Sequence, residues 1–153
     1  QRALQKAARY CSNQDRTEAQ VRAKLGTLGV EEVAIADRMI QKLQSERYLD
    51  EERYALTFVR GRFLDKKWGK HKLRHALAVK GLSKTHIERA LAALSNTDYL
   101  RTLDHVALKK QQSMYGKNPK QDRQKLAKHL LQKGYEPDLV SEAVHKLISL
   151  STL

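Results

Sequence analysis

The chain has 153 residues, and its 30 Lys and Arg outnumber its 17 Asp and Glu to give a formal net charge of +13. It contains no apolar stretch of about 18 residues, so we expect no membrane span. The single cysteine, Cys11, excludes an intramolecular disulfide and favours a cytoplasmic setting. No signal peptide is visible, and because Gln1 stands in place of an initiator methionine we expect the chain to be trimmed.

Three helices are predicted in residues 1–49, because good helix formers dominate and the alternation typical of strands is absent. Thr17 followed by Gln20 is a capping-box pattern, so the second helix should begin there. In the third helix Ile35, Met39 and Leu43 recur every four residues, which predicts one apolar face. The predicted ranges are about 2–11, 17–28 and 31–45.

The rest of the chain repeats this plan. Asp50 and Ser83 are suitable N-caps for the first and third helices of residues 50–95. In residues 96–153, Asn118 followed by Pro119 is typical of an N-cap with proline in the first helical position. The other predicted helices cover about 70–80, 98–115, 119–133 and the residues from 137 onward.

One short pattern occurs three times. The pattern consists of an apolar residue, a second apolar residue four positions later and a glycine four positions beyond that. The copies are Val21, Leu25 and Gly29; Leu73, Leu77 and Gly81; and Leu126, Leu130 and Gly134. The glycines are 52 and 53 positions apart. A fixed period predicts an all-α, elongated array of three tandem three-helix repeats, with boundaries at 1–49, 50–95 and 96–153.

Positive charge is densest in the middle repeat, whose 11 basic and 5 acidic residues give +6. Seven of the fifteen residues from Arg60 to Arg74, here called the basic segment, are Lys or Arg, and one is acidic. We interpret the basic segment as a site for phosphates or for an acidic protein surface; the alternative is a solvated helix face. The candidate binding residues are Arg53, Arg60, Arg62, Lys66, Lys67, Trp68, Lys70, Lys72, Arg74, Lys80 and Lys117.

Two features refine this candidate site. Arg53, Arg60 and Lys67 are seven residues apart, so we predict that they form one stripe along a helix. Lys70 and Arg74 share a face of the next helix. Trp68, the only tryptophan, has two interpretations: it stacks on a nucleobase, or it packs into the corner between two helices.

No active site is recognisable in the sequence. His71 and His75 are four apart, but no Glu lies between them and no third metal ligand is close in the sequence. The acidic residues at 50–52 suit a helix N-terminus. There is no phosphate-binding loop and no Ser-His-Asp pattern. We therefore expect neither an enzyme nor a bound metal or cofactor.

Two stretches resemble a known family. Tyr-Leu-Asp-Glu-Glu-Arg-Tyr-Ala-Leu-Thr-Phe-Val-Arg at 48–60, then Arg62 and Leu-Arg-His-Ala-Leu-Ala-Val-Lys-Gly at 73–81, resemble the central module of the bacterial RecX family. Residues 17–25 are similar to its first module, and the third module matches more weakly. The family often has glycine where this chain has Arg47. Arg47 therefore either adopts a left-handed conformation at a small cost or ends its helix differently.

The resemblance implies a curved rod of three repeats that negatively modulates the RecA recombinase. It implies binding along the groove of the RecA–DNA filament, with suppression of ATP hydrolysis, strand exchange and the coprotease activity of the SOS response. It also implies weak, non-specific binding to single- and double-stranded DNA. We expect a monomer with no membrane partner.

Two other functions stay open on the residues alone. Helix–turn–helix geometry in each repeat is compatible with an autonomous DNA-binding regulator. Such a protein should prefer selected over random DNA by a large factor. A small nuclease is the third hypothesis, with His71 and His75 as its only candidate residues.

Overall fold

In the computed structural model, which describes residues 1–114 and 118–151, every regular element is an α-helix. The helices are α1 (Arg2–Asn13), α2 (Glu18–Thr27), α3 (Val33–Ser45), α4 (Glu51–Lys66), α5 (Lys70–Val79), α6 (Lys84–Ala92), α7 (Asn96–Gln112), α8 (Pro119–Lys133) and α9 (Pro137–Ser151). The prediction of an all-α chain with three helices in each of three repeats is confirmed. None of these described helices combines the length and the apolar composition that crossing a bilayer requires.

The repeated glycines end one helix in each repeat. Gly29, Gly81 and Gly134 have φ values of 90°, 85° and 102°, the left-handed region that favours glycine. The N–H of the residue after each glycine donates to the carbonyl of the leucine that lies four positions before the glycine. The nitrogen-to-oxygen distances are 3.0, 3.3 and 3.2 Å. This is the Schellman motif, which satisfies carbonyl groups that a helix end leaves unpaired. The Leu-to-Gly spacing of the sequence pattern is therefore the spacing of this cap.

The predicted N-terminal caps are also present. Thr17 and Gln20 form both hydrogen bonds of a capping box, at 3.1 and 2.9 Å. Side-chain oxygens of Asp50, Ser83 and Asn118 each accept from a backbone N–H three residues later. Helix starts and stops are thus decided by short-range hydrogen bonds that the sequence makes visible.

Of the two outcomes expected for Arg47, the structure has the left-handed conformation, with a φ of 62°. It follows α3 in another Schellman motif, because the N–H of Tyr48 donates to the carbonyl of Leu43 at 2.9 Å. A side chain in this region costs roughly 1–2 kcal/mol, which glycine avoids.

The buried face of α3 differs from the predicted apolar face. Ile35 is 38% exposed, whereas Ala36, Ile40 and Leu43 are buried and Met39 packs against the core. A strict spacing of four drifts around a helix of 3.6 residues per turn, so the row through Ile35 leaves the core side. The predicted apolar face is thus buried at Leu43 but not at Ile35.

The chain forms two compact units. The first comprises residues 1–58 and 77–90, and the second comprises residues 59–76 and the described residues from 91 onward. The core of the first unit is Ala7, Cys11, Val21, Leu25, Ala36, Ile40, Leu43 and Leu49. The core of the second is Phe63, Tyr99, Leu103, Val106, Ala107, Leu126, Leu130, Tyr135, Val140, Ala143, Val144 and Ile148. The middle repeat contributes to both units, and the boundaries at 1–49, 50–95 and 96–153 stay predictions.

Candidate nucleic-acid interface

The basic segment lies in the second unit, where it covers the end of α4, a three-residue link and the start of α5. Its side chains at Arg60, Arg62, Lys66 and Lys72 are exposed. Among the described residues, Arg60, Lys66 and Lys72 form no ion pair with a carboxylate. These three side chains therefore present positive charge that no carboxylate of the described residues pairs with.

The predicted stripe through Lys67 is wrong. α4 ends at Lys66, and Lys67 has a φ of 59°, so Lys67 leaves the helix instead of continuing one of its faces. Its Nζ bends back and donates to the carbonyl of Leu64 at 2.7 Å. A non-glycine residue with this backbone conformation is held there by its surroundings.

Two side chains from the third repeat hold the end of α4 in place. The Nζ of Lys133 donates to the carbonyl of Lys66 at 2.9 Å, and the hydroxyl of Tyr135 donates to the carbonyl of Lys67 at 2.6 Å. A cation at a helix C-terminus is favourable because the unpaired carbonyls there are partly negative. These bonds supply the constraint on Lys67 that its own sequence does not.

The link between α4 and α5 lies directly against the end of α8. The N–H of Gly69 donates to the carbonyl of Lys133 at 2.8 Å, and the N–H of His71 donates to the carbonyl of Gly134 at 2.9 Å. A Cβ at Gly69 would lie 2.4 Å from the carbonyl carbon of Gly134. A Cβ at Gly134 would likewise lie 2.4 Å from the Cβ of Lys72, so glycine at both positions allows the two backbones to approach this closely. We call this contact the glycine joint.

Tyr99 forms a further hydrogen bond to the start of α5. Its buried hydroxyl accepts from the N–H of Lys70 at 2.8 Å and donates to the carboxylate of Glu136. Burial, reinforced by the hydrogen bond to Glu136, raises the pKa of the Tyr99 phenol well above its usual range. The Tyr99 ring also stacks on the Phe63 ring and packs against the Tyr135 ring, with distances between ring centroids of 5.9 and 5.4 Å. The basic segment is thus anchored to the core of its unit by backbone and side-chain bonds.

Trp68 lies in the link between α4 and α5, and both interpretations from the sequence stay predictions. It is half-buried, with the Nζ of Lys72 at 4.7 Å and the guanidinium carbon of Arg62 at 5.8 Å from its ring. Cations at these distances are attracted to the π face of an indole. The tryptophan therefore positions two of the candidate cations.

Two lysines that sequence reasoning missed join this surface. Burial and the positive charges of Lys72, Lys66, Lys67 and Lys109 lower the pKa of Lys133. Lys109 lies on α7 and Lys133 on α8. The lysines that lie near one another here are therefore up to 67 positions apart in the sequence. No local pattern links them to the basic segment, because the helices meet only in the folded chain.

The other candidates lie elsewhere. Arg53 and Lys80 belong to the first unit. The Nε of Arg53 lies 2.7 Å from a carboxylate oxygen of Asp15, and the Nζ of Lys80 lies 5.6 Å from the ring of Phe58. Lys117 lies outside the described residues.

The remaining two candidates sit on α5. Lys70 is half-buried, with its Nζ 4.9 Å from the Tyr99 ring. The guanidinium of Arg74 lies 3.2 Å from Nδ1 of His71. Within the described part of the chain, no group of three His, Cys, Asp or Glu side chains is suited to a metal ion. The binding role of each candidate residue stays a prediction.

Comparison with known proteins identifies relatives along most of the chain. Models of the first, second and third three-helix domains of RecX match residues 3–43, 50–91 and 97–144. The chain is similar to "Regulatory protein RecX" of Clostridium botulinum (strain Eklund 17B / Type B), at 32% identity over 88% of this chain and 63% of that protein. It thus spans less than two thirds of the length of that relative.

Other relatives match over nearly their whole length. "Regulatory protein RecX" of Prosthecochloris aestuarii is 27% identical over 97% of this chain and 95% of that protein. A crystal structure of RecX from Lactobacillus salivarius has a TM-score of 0.87 at 23% identity, over 95% of this chain and 94% of that one. At this identity the structure shows that the two chains share a fold.

Proposed function

Because the chain belongs to the RecX family, we propose that it is a negative modulator of the RecA recombinase. It binds along the groove of the RecA–DNA filament and suppresses ATP hydrolysis, strand exchange and coprotease activity. It acts in the cytoplasm as a monomer without catalytic chemistry of its own. The basic segment is the proposed contact surface.

The observation that carries this proposal is the anchoring of the basic segment. Its backbone is bound to the end of α8 at Gly69 and His71 and to Tyr99 at Lys70. Because the backbone is already anchored, only the side chains of these cations lose conformational freedom when they meet phosphates, so more of the attraction contributes to affinity. A solvated helix face, the alternative interpretation, would not need such bonds.

Positive charge also accounts for the expected mode of binding. Each phosphate that a lysine or arginine neutralises releases condensed counterions, so affinity should fall steeply with salt. This contribution does not depend on base sequence, which suits a filament that forms on any DNA. A chain lying in the groove would obstruct the strands and protein substrates that enter it.

A matched pair of charge reversals tests the surface. The first variant changes Arg60, Lys66 and Lys72 to Glu, three exposed side chains of the basic segment. The control changes Arg2, Lys6 and Arg9 to Glu, which makes the same change in net charge on exposed positions of α1. The readout is the rate of ATP hydrolysis by RecA on single-stranded DNA, with helical content checked by circular dichroism.

We expect the first variant to lose inhibition and the control to keep most of it. Equal inhibition by both variants would contradict a contact through the basic segment. Binding to RecA-coated and naked single-stranded DNA at one salt concentration then separates partners, and tighter binding to the filament is expected. A large preference for selected over random DNA would favour the autonomous regulator instead.

A further inference from the structure

A cationic groove lies beside the basic segment, within the second unit. Its volume is about 340 Å³, and three elements contribute its titratable side chains. These are Lys67 from the link after α4, His105, Lys109 and Lys110 from α7, and His129 and Lys133 from α8. None of the described residues that line the groove is acidic. We call it the lysine groove.

We propose that the lysine groove is a binding site for a phosphate group. Lysine ammonium groups bind phosphates as mobile point charges, and imidazole N–H groups add directional donors. Four lysines and two histidines line one concave surface, and the Nζ groups of Lys67 and Lys133, each bonded to one backbone carbonyl, still have N–H groups to donate. The groove shares Lys67 with the basic segment, and its Lys109 and Lys133 join the same surface, so the proposal adds a defined phosphate site to the surface of the proposed function.

The cations of the groove are crowded in the absence of an anion. Burial and four neighbouring lysines, including Lys67 and Lys109, lower the pKa of Lys133. Burial, followed by the charges of Lys110 and Lys133, lowers the pKa of His129. Like charges held close together repel one another, and an anion between them would remove that cost. The groove therefore favours a multiply charged ligand.

The groove is concave, so it can surround a phosphate group or a chain of linked phosphates on several sides, which a flat surface cannot do. Its volume is in the range of about 300–1,000 Å³ that small-ligand sites occupy. Val106, a residue of the core, contributes to its lining and joins it to the rigid part of the unit. Lys133 is already fixed by its bond to the carbonyl of Lys66, so at least one donor is preorganised.

The phosphate group bound in the lysine groove could belong to one of two sources, a nucleic-acid strand or a free nucleotide or polyphosphate. Inorganic triphosphate is the probe for the shared chemistry, and a single-stranded oligothymidylate is the probe for a strand. Proton NMR signals of the His105 and His129 rings, assigned with His105→Gln and His129→Gln variants, report directly on the groove. The full chain is used without recombinase, so a failure here leaves the filament proposal untouched.

We expect triphosphate to shift the ring signals of His105 and His129 with saturation. Lys109→Met keeps the length of the side chain at an exposed position of α7 and should weaken this binding about tenfold, as loss of a charge-assisted contact does. Lys120→Met removes the same charge from an exposed position of α8 outside the groove and should change it less than about twofold. Circular dichroism confirms that both variants are folded.

The outcomes separate clearly. If the oligothymidylate shifts the same signals and displaces triphosphate, the groove takes a strand phosphate. If triphosphate binds and the oligothymidylate leaves the ring signals unchanged, the ligand is a free phosphate compound. If neither probe shifts the signals, or if Lys109→Met binds triphosphate as tightly as Lys120→Met does, the proposal is overturned.

Discussion

Replacing Gly69 by alanine should break the glycine joint. The new Cβ would lie 2.4 Å from both the carbonyl carbon of Gly134 and the backbone nitrogen of Tyr135. Both are backbone atoms, so the two chain segments must separate by about 1 Å to reach an ordinary contact distance of about 3.4 Å. That movement lengthens the hydrogen bonds of Gly69 and His71, now 2.8 and 2.9 Å, beyond the range of a hydrogen bond.

The expected loss of stability follows from these two effects. Two lost hydrogen bonds contribute about 0.5–1.5 kcal/mol each, and overpacking adds about 1–3 kcal/mol. We therefore expect Gly69→Ala to lower the free energy of unfolding by about 2–6 kcal/mol, a large part of the about 5–15 kcal/mol that holds a typical domain folded. The adjacent Trp68, the only tryptophan, makes fluorescence a local probe beside circular dichroism in urea titrations.

Gly61 provides the matched control. It lies inside α4, and apart from the backbone of its own helix and its chain neighbours nothing lies within 4 Å of a Cβ added there. Gly61→Ala should therefore stabilise the chain by about 0.5–1 kcal/mol, because alanine suits a helix interior better than glycine. If Gly69→Ala unfolds at the same urea concentration as Gly61→Ala, the close approach of Gly69 to Gly134 does not constrain the fold and our reasoning is wrong.

Three further changes test other parts of the structure. Arg47→Gly should raise the free energy of unfolding by about 0.5–1 kcal/mol, because glycine adopts the left-handed conformation without strain; a lower urea midpoint would contradict this. Tyr99→Phe removes the hydroxyl that serves the N–H of Lys70 and the carboxylate of Glu136, and should destabilise by about 1–3 kcal/mol; a urea midpoint equal to that of the unchanged chain would refute it. Folding lowers the pKa of His129 from its ordinary 6.5, so the unfolded chain binds a proton first as pH falls, and stability should decrease below pH 6.5. His129→Gln should weaken that dependence in urea titrations at several pH values, and an unchanged pH profile would contradict the assignment.

The local structure of this protein is predictable from short stretches of its sequence. The caps at Thr17, Asp50 and Asn118 and the glycine ends of the repeated helices depend on hydrogen bonds that span about three to five residues. The left-handed conformation of Arg47 was one of two outcomes expected from its place in the same kind of helix end. Such features are readable because donor, acceptor and backbone conformation all lie in one short stretch.

The arrangement of the candidate site depends on contacts between residues that are far apart along the chain. Lys67 turns left-handed because Tyr135, 68 positions later, and its neighbours hold that backbone, and this ends the predicted stripe. Lys109 and Lys133 join the basic segment because the fold brings α7 and α8 to it, and the bond from Lys133 to the carbonyl of Lys66 joins residues 67 positions apart. Burial and charge crowding depend on which side chains meet in space, and residues so far apart along the chain leave no periodic signal of that meeting.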